Sequence, residues 1–271
     1  MRLMTDQQPS TRRARGPQTA WRGDVARWYD SLVGEVGSGY QREVIFPQTL
    51  RLLGLRQSQR LLDLACGQGA FSREAAKVGV LVTGLDASED LVRSARQQSR
   101  RGVRYVVGDA GQLQETFPAE SFDAVACILA IQNIEPLEPV FAGCGHVLRP
   151  GGRLVLVMTH PCFRIARQSA WGWDEERKLQ YRRIDRYLSP LRIPIQTHPG
   201  ADPRLRTWTF HRPLQTYVQG LAQAGLLVDA LEEWPSNRVS QPGARAKAEN
   251  RAREEVPLFL AIRGVKPAPR A

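Results

Sequence analysis

Three aspartates, each near the end of an apolar run, are the residues with the clearest chemical potential in this sequence. Asp63 lies inside the first run, Asp86 closes the second, and Asp109 follows the third. A carboxylate that ends a second strand can accept hydrogen bonds from both hydroxyls of a ribose. Gly67 and Gly69 follow the first run and leave the backbone open, so a ligand can approach the next helix closely. The pattern predicts a binding site for a dinucleotide or an adenosyl group.

An alternation of strands and helices must position these residues. From residue 60 onward, short apolar runs alternate with helical patterns, which is typical of a parallel sheet with crossover helices and therefore of an α/β fold. The predicted strands are 60–65, 80–86, 103–107, 122–129 and 153–159. The predicted helices are 70–78, 89–98 with Ser88 as its N-cap, and 137–148, followed by a turn over 149–152. Ligands of open α/β sheets bind beyond the carboxyl ends of the strands, so the three aspartates are predicted to share one edge.

The chain is predicted to consist of a helical cap and one sheet domain with an insertion, flanked by two tails. The boundaries are 1–18 for a disordered basic tail, 19–55 for the cap, 56–265 for the sheet domain, 160–213 for the insertion and 266–271 for the second tail. The insertion is rich in arginine and aromatic residues and shows no regular pattern. Beyond it we predict a helix over 214–224 that stops at Gly225. Two strands, 226–234 and 256–262, are separated by a polar segment that is expected to be mobile.

Composition and charge place the chain among globular proteins. Of 271 residues, 42% are hydrophobic and 24% are charged, and no run approaches the roughly 18 to 20 apolar residues that cross a bilayer. The net charge of +11 leaves a nucleic-acid partner possible, but arginine-rich surfaces also have other origins, so this partner is the less favoured one. The four cysteines lack metal-binding spacing. We expect no structural metal, no membrane segment and a cytoplasmic location.

Five segments in the sheet domain resemble the successive signatures of class I S-adenosylmethionine-dependent methyltransferases. They are LLDLACGQG (61–69), GLDAS (84–88), GDA (108–110), SFDAV (121–125) and LRPGGRLVL (148–156). The resemblance extends from about Trp28 to Val265 and is to bacterial members that act on small molecules. It implies a Rossmann-like three-layer sandwich with a mostly parallel seven-stranded sheet, an antiparallel last strand, a helical cap and an insertion after the fifth strand. It also implies S-adenosylmethionine as cofactor and a small-molecule methyl acceptor.

The resemblance implies a role for each residue of the predicted edge. Asp63 would organise the amino group of the methionine moiety, Gly67 would touch its backbone, and Asp86 would hold the ribose. Asp109 and the Ala110 amide would read the adenine edge. The full set of implied cofactor-binding residues is Tyr29, Asp63, Ala65, Gly67, Gly69, Asp86, Ala87, Asp109, Ala110 and Gln132.

Two members of that set come from outside the glycine and aspartate motifs. Gln132 and its neighbour Asn133 follow the fourth strand and would face the methyl donor. Tyr29 lies in a Trp-Tyr-Asp segment, and Tyr40 follows Gly39; both are similar to the helical cap of the bacterial small-molecule members, whose tyrosines close over the cofactor.

His160 and His211 are the candidate catalytic residues, one at each end of the insertion. His160 follows the fifth strand, and His211 precedes the next helix, so the two imidazoles could flank one pocket mouth. Near neutral pH a histidine can accept the proton of an attacking hydroxyl or amine. The alternative is that each histidine anchors one end of the insertion by hydrogen bonds to the backbone.

Three other functions remain open. A nicotinamide dehydrogenase shares the glycines and Asp86, but its fingerprint expects a third glycine where this chain has Ser72, and it has no use for Asp63 or Asp109. An RNA methyltransferase could use Cys162 as nucleophile, although the motifs of the base-amine and cytosine methylators after the fourth strand are absent. A protein that binds S-adenosylmethionine without turning it over is also compatible with the sequence. The identity of the acceptor and of its methylated atom is not encoded in a motif.

Overall fold

The structure, a computed structural model, describes residues 21–99, 102–196 and 206–268. The predicted tail over 1–18 lies outside the described residues, as does the end of the second tail, 269–271.

A seven-stranded sheet forms the centre of the fold. The strands in chain order are β1 (Arg60–Leu64), β2 (Leu81–Asp86), β3 (Val103–Val107), β4 (Phe122–Ile128), β5 (Leu148–Thr159), β6 (Ser169–Asp174), β7 (Leu179–Ile184), β8 (Leu191–Gln196), β9 (Arg206–His211), β10 (Leu227–Trp234) and β11 (Phe259–Val265). The large sheet has the order β10-β11-β5-β4-β1-β2-β3. Strands β1 to β5 run parallel, whereas β11 lies antiparallel between β5 and β10. The predicted sheet, mostly parallel with an antiparallel last strand, is confirmed.

Helices cover both faces of the sheet. They are α1 (Asp24–Val33), α2 (Phe46–Leu53), α3 (Ala70–Ala76), α4 (Glu89–Gln98), α5 (Leu113–Thr116), α6 (Glu138–Val147), α7 (Leu214–Gln223) and α8 (Ala246–Glu255). Successive strand residues point to opposite faces. Leu62 belongs to one buried cluster with Phe141 of α6 and Tyr217 of α7, whereas Leu61 belongs to another with Phe71 of α3. The β1 strand is therefore buried on both faces, which gives the three layers that were predicted.

The two helical patterns before the sheet are present, but the second begins in an unusual form. A π-helix, Gln41–Ile45, runs directly into α2 and buries Val44 and Ile45. Gly54 ends α2 in a left-handed conformation with φ of 55°, a common stop for a helix. Ser88 caps α4 as predicted, because its hydroxyl accepts the backbone N–H of Leu91 at 3.2 Å.

The insertion differs from the prediction, since it forms two β-hairpins where no regular structure was expected. Strand β6 pairs with β7, and β8 pairs with β9; neither hairpin joins the large sheet. Trp171 lies opposite Arg182 in the first hairpin, and Phe210 lies opposite Arg192 in the second. The cross-strand pairs thus combine aromatic with charged side chains. Strands β8 (LRIPIQ) and β9 (RTWTFH) do alternate apolar and polar residues, but a proline inside a run, such as Pro194, argues against a strand in sequence-based prediction.

The prediction of a mobile segment between the last two strands is also wrong for its second half. Residues 246–255 form α8, a helix in which only Ala252 is buried. Glu249 and Arg253 pair one turn apart at 3.8 Å, which adds modest support to a helix without an apolar face. Two strand limits shift as well: β5 starts at Leu148, so the predicted turn lies inside it, and β11 occupies Phe259–Val265 rather than 256–262.

We expect Gly84→Ala to destabilise the fold, because Gly84 of β2 makes room for the ring of Tyr105 on β3. A β-carbon at Gly84 would lie 2.7 Å from the Tyr105 ring and 2.9 Å from the Cys66 sulfur. Overpacking of this kind costs about 1–3 kcal/mol, measurable as a lower free energy of unfolding in urea. Gly39→Ala is the matched control, since its β-carbon would meet nothing closer than 3.8 Å. Equal effects of the two substitutions would show that the Tyr105 contact is not limiting.

Candidate functional site

A cleft of about 230 Å³ opens at the carboxyl ends of β1 to β4. Seven of the predicted cofactor-binding residues line it: Tyr29, Ala65, Gly67, Asp86, Ala87, Asp109 and Ala110. Asp63 lines a smaller neighbouring cavity of about 20 Å³. Gly69 and Gln132 line neither cavity. The predicted edge of the sheet therefore brings together most of the residues that the sequence singled out.

Asp86 joins the loops that follow β1 and β2. Its Oδ2 accepts the backbone N–H of Gly67 at 2.8 Å, and its Oδ1 accepts that of Ser88 at 2.8 Å. Burial raises the pKa of this carboxyl, while the two backbone hydrogen bonds lower it. Each carboxylate oxygen has capacity for a further hydrogen bond. Asp86 can therefore hold both loops and still accept a ligand hydroxyl.

The glycine loop after β1 has two different reasons for its glycines. Gly67 has φ of 56°, and a β-carbon there would lie 3.3 Å from the Tyr29 ring, at the cleft. Gly69 has φ of 82°, and its β-carbon would overlap the Tyr105 hydroxyl at 2.3 Å. Gly69 therefore serves the packing of the loop on β3 rather than the cleft. Ala65 also has a positive φ, 57°, which is uncommon for a residue with a side chain and marks the strained end of β1.

Asp63 is a buried carboxyl with a single side-chain partner. It is 2% exposed, and its Oδ2 accepts the hydroxyl of Ser72 on α3 at 2.5 Å. Burial first, and the neighbouring Asp86 to a smaller extent, raise the pKa of Asp63 to about 7, against the lowering effect of the Ser72 bond. A cation placed beside this carboxyl would favour its ionised form. The cavity at Asp63 is therefore suited to an ammonium group.

Tyr29 on α1 forms the wall between the two cavities, since it lines both. Its ring packs edge-on against Trp21 with 5.3 Å between the ring centroids. Burial, together with Asp86 and Asp63, raises the pKa of the phenol, so Tyr29 keeps its proton. The sequence did not single out Trp21 as a site residue, and it also lines the cleft.

At the end of β3, Asp109 begins a short helical turn, Ala110–Gln112. Its Oδ1 accepts the backbone N–H of Gly111 at 2.8 Å. Asp109 and Ala110 both line the cleft, together with Gly108.

Gln132 lies between the cleft and the insertion rather than in the cleft itself. Its Nε2 donates to the Leu129 carbonyl at 2.9 Å, while its buried Oε1 has no hydrogen-bond partner. Its backbone carbonyl accepts the Thr209 hydroxyl of β9 at 3.4 Å. The adjacent Asn133 does line the cleft, as does Glu135 further along. Asn133, which the resemblance placed near the methyl donor, lines the cleft, whereas the sequence contained no signal for Glu135.

The two candidate catalytic histidines do not line the cleft. In His160, Nε2 bonds Glu233 Oε1 at 2.7 Å, and Nδ1 accepts the backbone N–H of Cys162 at 3.2 Å. His211 Nε2 bonds the carbonyl of Tyr187 at 2.6 Å. Burial lowers the pKa of both imidazoles. These contacts match the alternative reading, in which each histidine anchors one end of the insertion.

Comparisons with known proteins agree with this geometry. Residues 62–156 match the family model described as a methyltransferase domain. The chain is 33% identical over 189 residues to a demethylmenaquinone methyltransferase of Beutenbergia cavernae, covering 68% of this chain and 73% of that protein. It is 37% identical over 101 residues to a ubiquinone biosynthesis O-methyltransferase of Xanthomonas axonopodis pv. citri, covering 36% of this chain and 41% of that protein.

Solved structures show the same relationship. An S-adenosylmethionine-dependent methyltransferase from Mesorhizobium loti superposes with a TM-score of 0.66 at 27% identity, covering 86% of this chain and all of the other. The chain belongs to the class I S-adenosylmethionine-dependent methyltransferases, and S-adenosylmethionine is its cofactor. Within the described residues, no helix is long and apolar enough to cross a membrane.

The raised pKa of Asp63 predicts a pH-dependent cost to the free protein. A carboxyl with an ordinary value of 3.8 and a folded value of about 7 keeps its proton longer in the folded state, so the contribution to stability is full below about pH 4 and is lost as the pH rises to 7. Asp63→Asn removes this loss. Without cofactor, we expect a free energy of unfolding higher by on the order of a few kcal/mol at pH 8, with a smaller gain at pH 5.

Asp90→Asn is the matched control for the pH series. The backbone N–H of Gly23 lowers the pKa of Asp90, so that substitution should cost stability at pH 8 and little near pH 3. If Asp63→Asn increases the free energy of unfolding equally at pH 5 and pH 8, the raised pKa of Asp63 is not the cause of the increase.

Proposed function

We propose that this enzyme methylates a small molecule with an aromatic ring of the phenol or quinol type. The main support is the relative named as a demethylmenaquinone methyltransferase, of which the match covers 73%. The relative named for ubiquinone biosynthesis supports the same class of ring compound over a shorter match. The aromatic side chains of the insertion can exclude water from such a ring.

We further propose which residues hold the cofactor. The Asp63 cavity would take the ammonium group, because that carboxyl lacks a cationic partner among the described residues and a cation would stabilise its charge. Gly67 would let the methionine moiety pass close to the backbone. The remaining capacity of Asp86 would bind the ribose hydroxyls, and Asp109 with Ala110 would contact the adenine.

The chain would work mainly by alignment and by exclusion of water. S-adenosylmethionine supplies a methyl group on a sulfonium, which is already activated for transfer. The helical cap over 19–55 would cover the cofactor through Tyr29, and the insertion over 160–213 would cover the acceptor. Holding the methyl donor and the acceptor in the reactive orientation lowers the entropic part of the activation barrier.

The acceptor proposal is tested by product analysis. The full chain would be incubated with S-adenosylmethionine and either reduced naphthoquinones, catechols, or aliphatic amines of similar size. We expect S-adenosylhomocysteine and a methylated product only with the compounds that carry ring hydroxyls, and neither with the aliphatic amines. Methylation of the amines alone would refute the phenol or quinol class.

Asp86→Ala should weaken S-adenosylmethionine binding by roughly 1–3 kcal/mol, the size expected when a hydrogen-bonded charged group is lost. Calorimetric titration of the folded variant would measure it. Glu89→Ala is the matched control, because Glu89 lies just beyond on α4 with 76% of its side chain exposed. Unchanged affinity in the Asp86 variant would remove this residue from the proposed site.

We expect His160→Gln and His211→Gln to lower turnover less than about threefold at saturating cofactor, well short of the general-base range. Both nitrogens of His160 are already hydrogen-bonded, so its ring is not free to accept a proton. The thermal midpoint should fall instead, as expected for anchors. A loss of about 100-fold or more in either variant would restore a general base.

A further inference from the structure

Two arginines of the insertion, Arg164 and Arg182, lie against the ring of the same tryptophan, Trp171. The guanidinium carbon of Arg164 lies 5.0 Å from the ring centroid of Trp171, and that of Arg182 lies 5.2 Å from the same centroid. Arg164 lies five residues after the end of β5 at Thr159. Its backbone N–H donates to the backbone carbonyl of His160 at 2.8 Å. Both arginine side chains are only partly exposed. Two positive charges are thus held against one ring next to the sheet edge that carries the cleft.

Neither guanidinium pairs with a carboxylate of the described residues, and their hydrogen bonds go to neutral oxygens. Arg164 donates from Nε to the Pro257 carbonyl at 3.2 Å and from Nη2 to the Val256 carbonyl at 3.1 Å. Arg182 donates from Nε to the Phe163 carbonyl at 2.8 Å and from Nη2 to the Ser169 hydroxyl at 2.7 Å. These bonds use two of the five N–H donors of each side chain. The other three donors of each guanidinium have no hydrogen-bond partner among the described residues.

Several other basic residues around the same hairpin do have an acidic partner. Arg183 pairs with Asp185 at 2.9 Å, Lys178 with Glu175 at 3.1 Å, and Arg245 with Glu175 at 2.6 Å. Arg167, just before β6, also has no carboxylate partner among the described residues, but it is exposed, whereas Arg164 and Arg182 are partly buried and lie against one ring.

Both arginines have a lowered pKa, because partial burial disfavours their charged form. Burial, and then the charge of Arg182, lower the pKa of Arg164 to about 10, and burial lowers the pKa of Arg182. Carbonyls at the end of α8 offset part of the Arg164 charge, but they offer nothing to Arg182. Like charges in a partly buried site are stabilised most directly by an anion between or beside them.

We propose that Arg164, Trp171 and Arg182 form a subsite for an oxyanion, either a carboxylate or phosphate group of the methyl acceptor or free phosphate. Planar guanidinium groups bind such anions through paired, charge-assisted hydrogen bonds. The part that concerns the acceptor rests on the proposed function and narrows it, because the ring compound would carry an acidic group. The anion site itself does not depend on turnover.

The test is binding of inorganic phosphate and of benzoate to the full chain by calorimetry, with ionic strength held constant by sodium chloride. We expect saturable binding to the unmodified protein and at least a tenfold loss of affinity in Arg182→Gln. Arg183→Gln is the matched control: it removes an equal charge from the adjacent position of the same strand, and it should change affinity less than twofold. Arg182→Lys keeps the charge but not the planar fork, so we expect an intermediate loss of affinity for the anion. This variant also serves as the test if Arg182→Gln does not fold.

The two probes also separate the sources of the anion. Phosphate binding without benzoate binding assigns the subsite to phosphate, whereas benzoate binding assigns it to the carboxylate of an aromatic acceptor. Absence of saturable binding of both probes, or equal losses in Arg182→Gln and Arg183→Gln, would overturn the subsite. S-adenosylhomocysteine binding, measured in the same samples, reports on the cofactor cleft separately. Failure of the oxyanion site is thereby distinguished from failure of the proposed function.

Discussion

The hydrogen bonds from Gly67 and Ser88 to the carboxylate of Asp86 tie together the two loops on which the cleft depends. In the loop after β1, Gly67 has a left-handed backbone with φ of 56° and donates to Asp86, and the loop after β2 leads directly into Ser88, the N-cap of α4. A buried carboxylate is costly unless it is hydrogen-bonded. The backbone N–H groups meet part of that cost and at the same time fix the distance between β1 and β2 at their carboxyl ends.

A second carboxyl in the same region makes the free protein electrostatically unfavourable. Asp63 and Asp86 are both buried, and the charge of Asp86 disfavours ionisation of Asp63. Ser72 supplies one hydrogen bond to Asp63 and no charge. A cationic ligand beside Asp63 would favour its ionised form and offset the repulsion between the two carboxylates. The same reasoning explains why a structural optimum would replace Asp63 by a neutral residue, whereas a binding site would keep it.

Sequence reasoning succeeded where a residue's role depends on its immediate neighbours in the chain. Buried runs, the glycine turn and the aspartates at strand ends follow from local pattern, and seven predicted residues share the cleft. It failed where packing between distant segments decides. Gly69 is needed for the Tyr105 ring, 36 positions away, and His160 is held by Glu233 from a different strand. Helix α8 was missed because ion pairs rather than an apolar face support it, and strand β8 was missed because Pro194 interrupts its alternating pattern.

The insertion and the cleft differ in the sign of their local charge. Asp86, Asp109 and Glu135 line the cleft, whereas Arg164 and Arg182 stand at the base of the insertion without acidic partners among the described residues. The acidic cleft would attract a cationic ligand, and the two arginines of the insertion would attract an anionic one. Each region would repel the ligand that the other attracts. Such a separation would orient the acceptor with its anionic group toward the arginines and its remaining surface toward the cleft. Since methyl transfer depends chiefly on alignment, this charge distribution would contribute to catalysis without any side chain taking a proton.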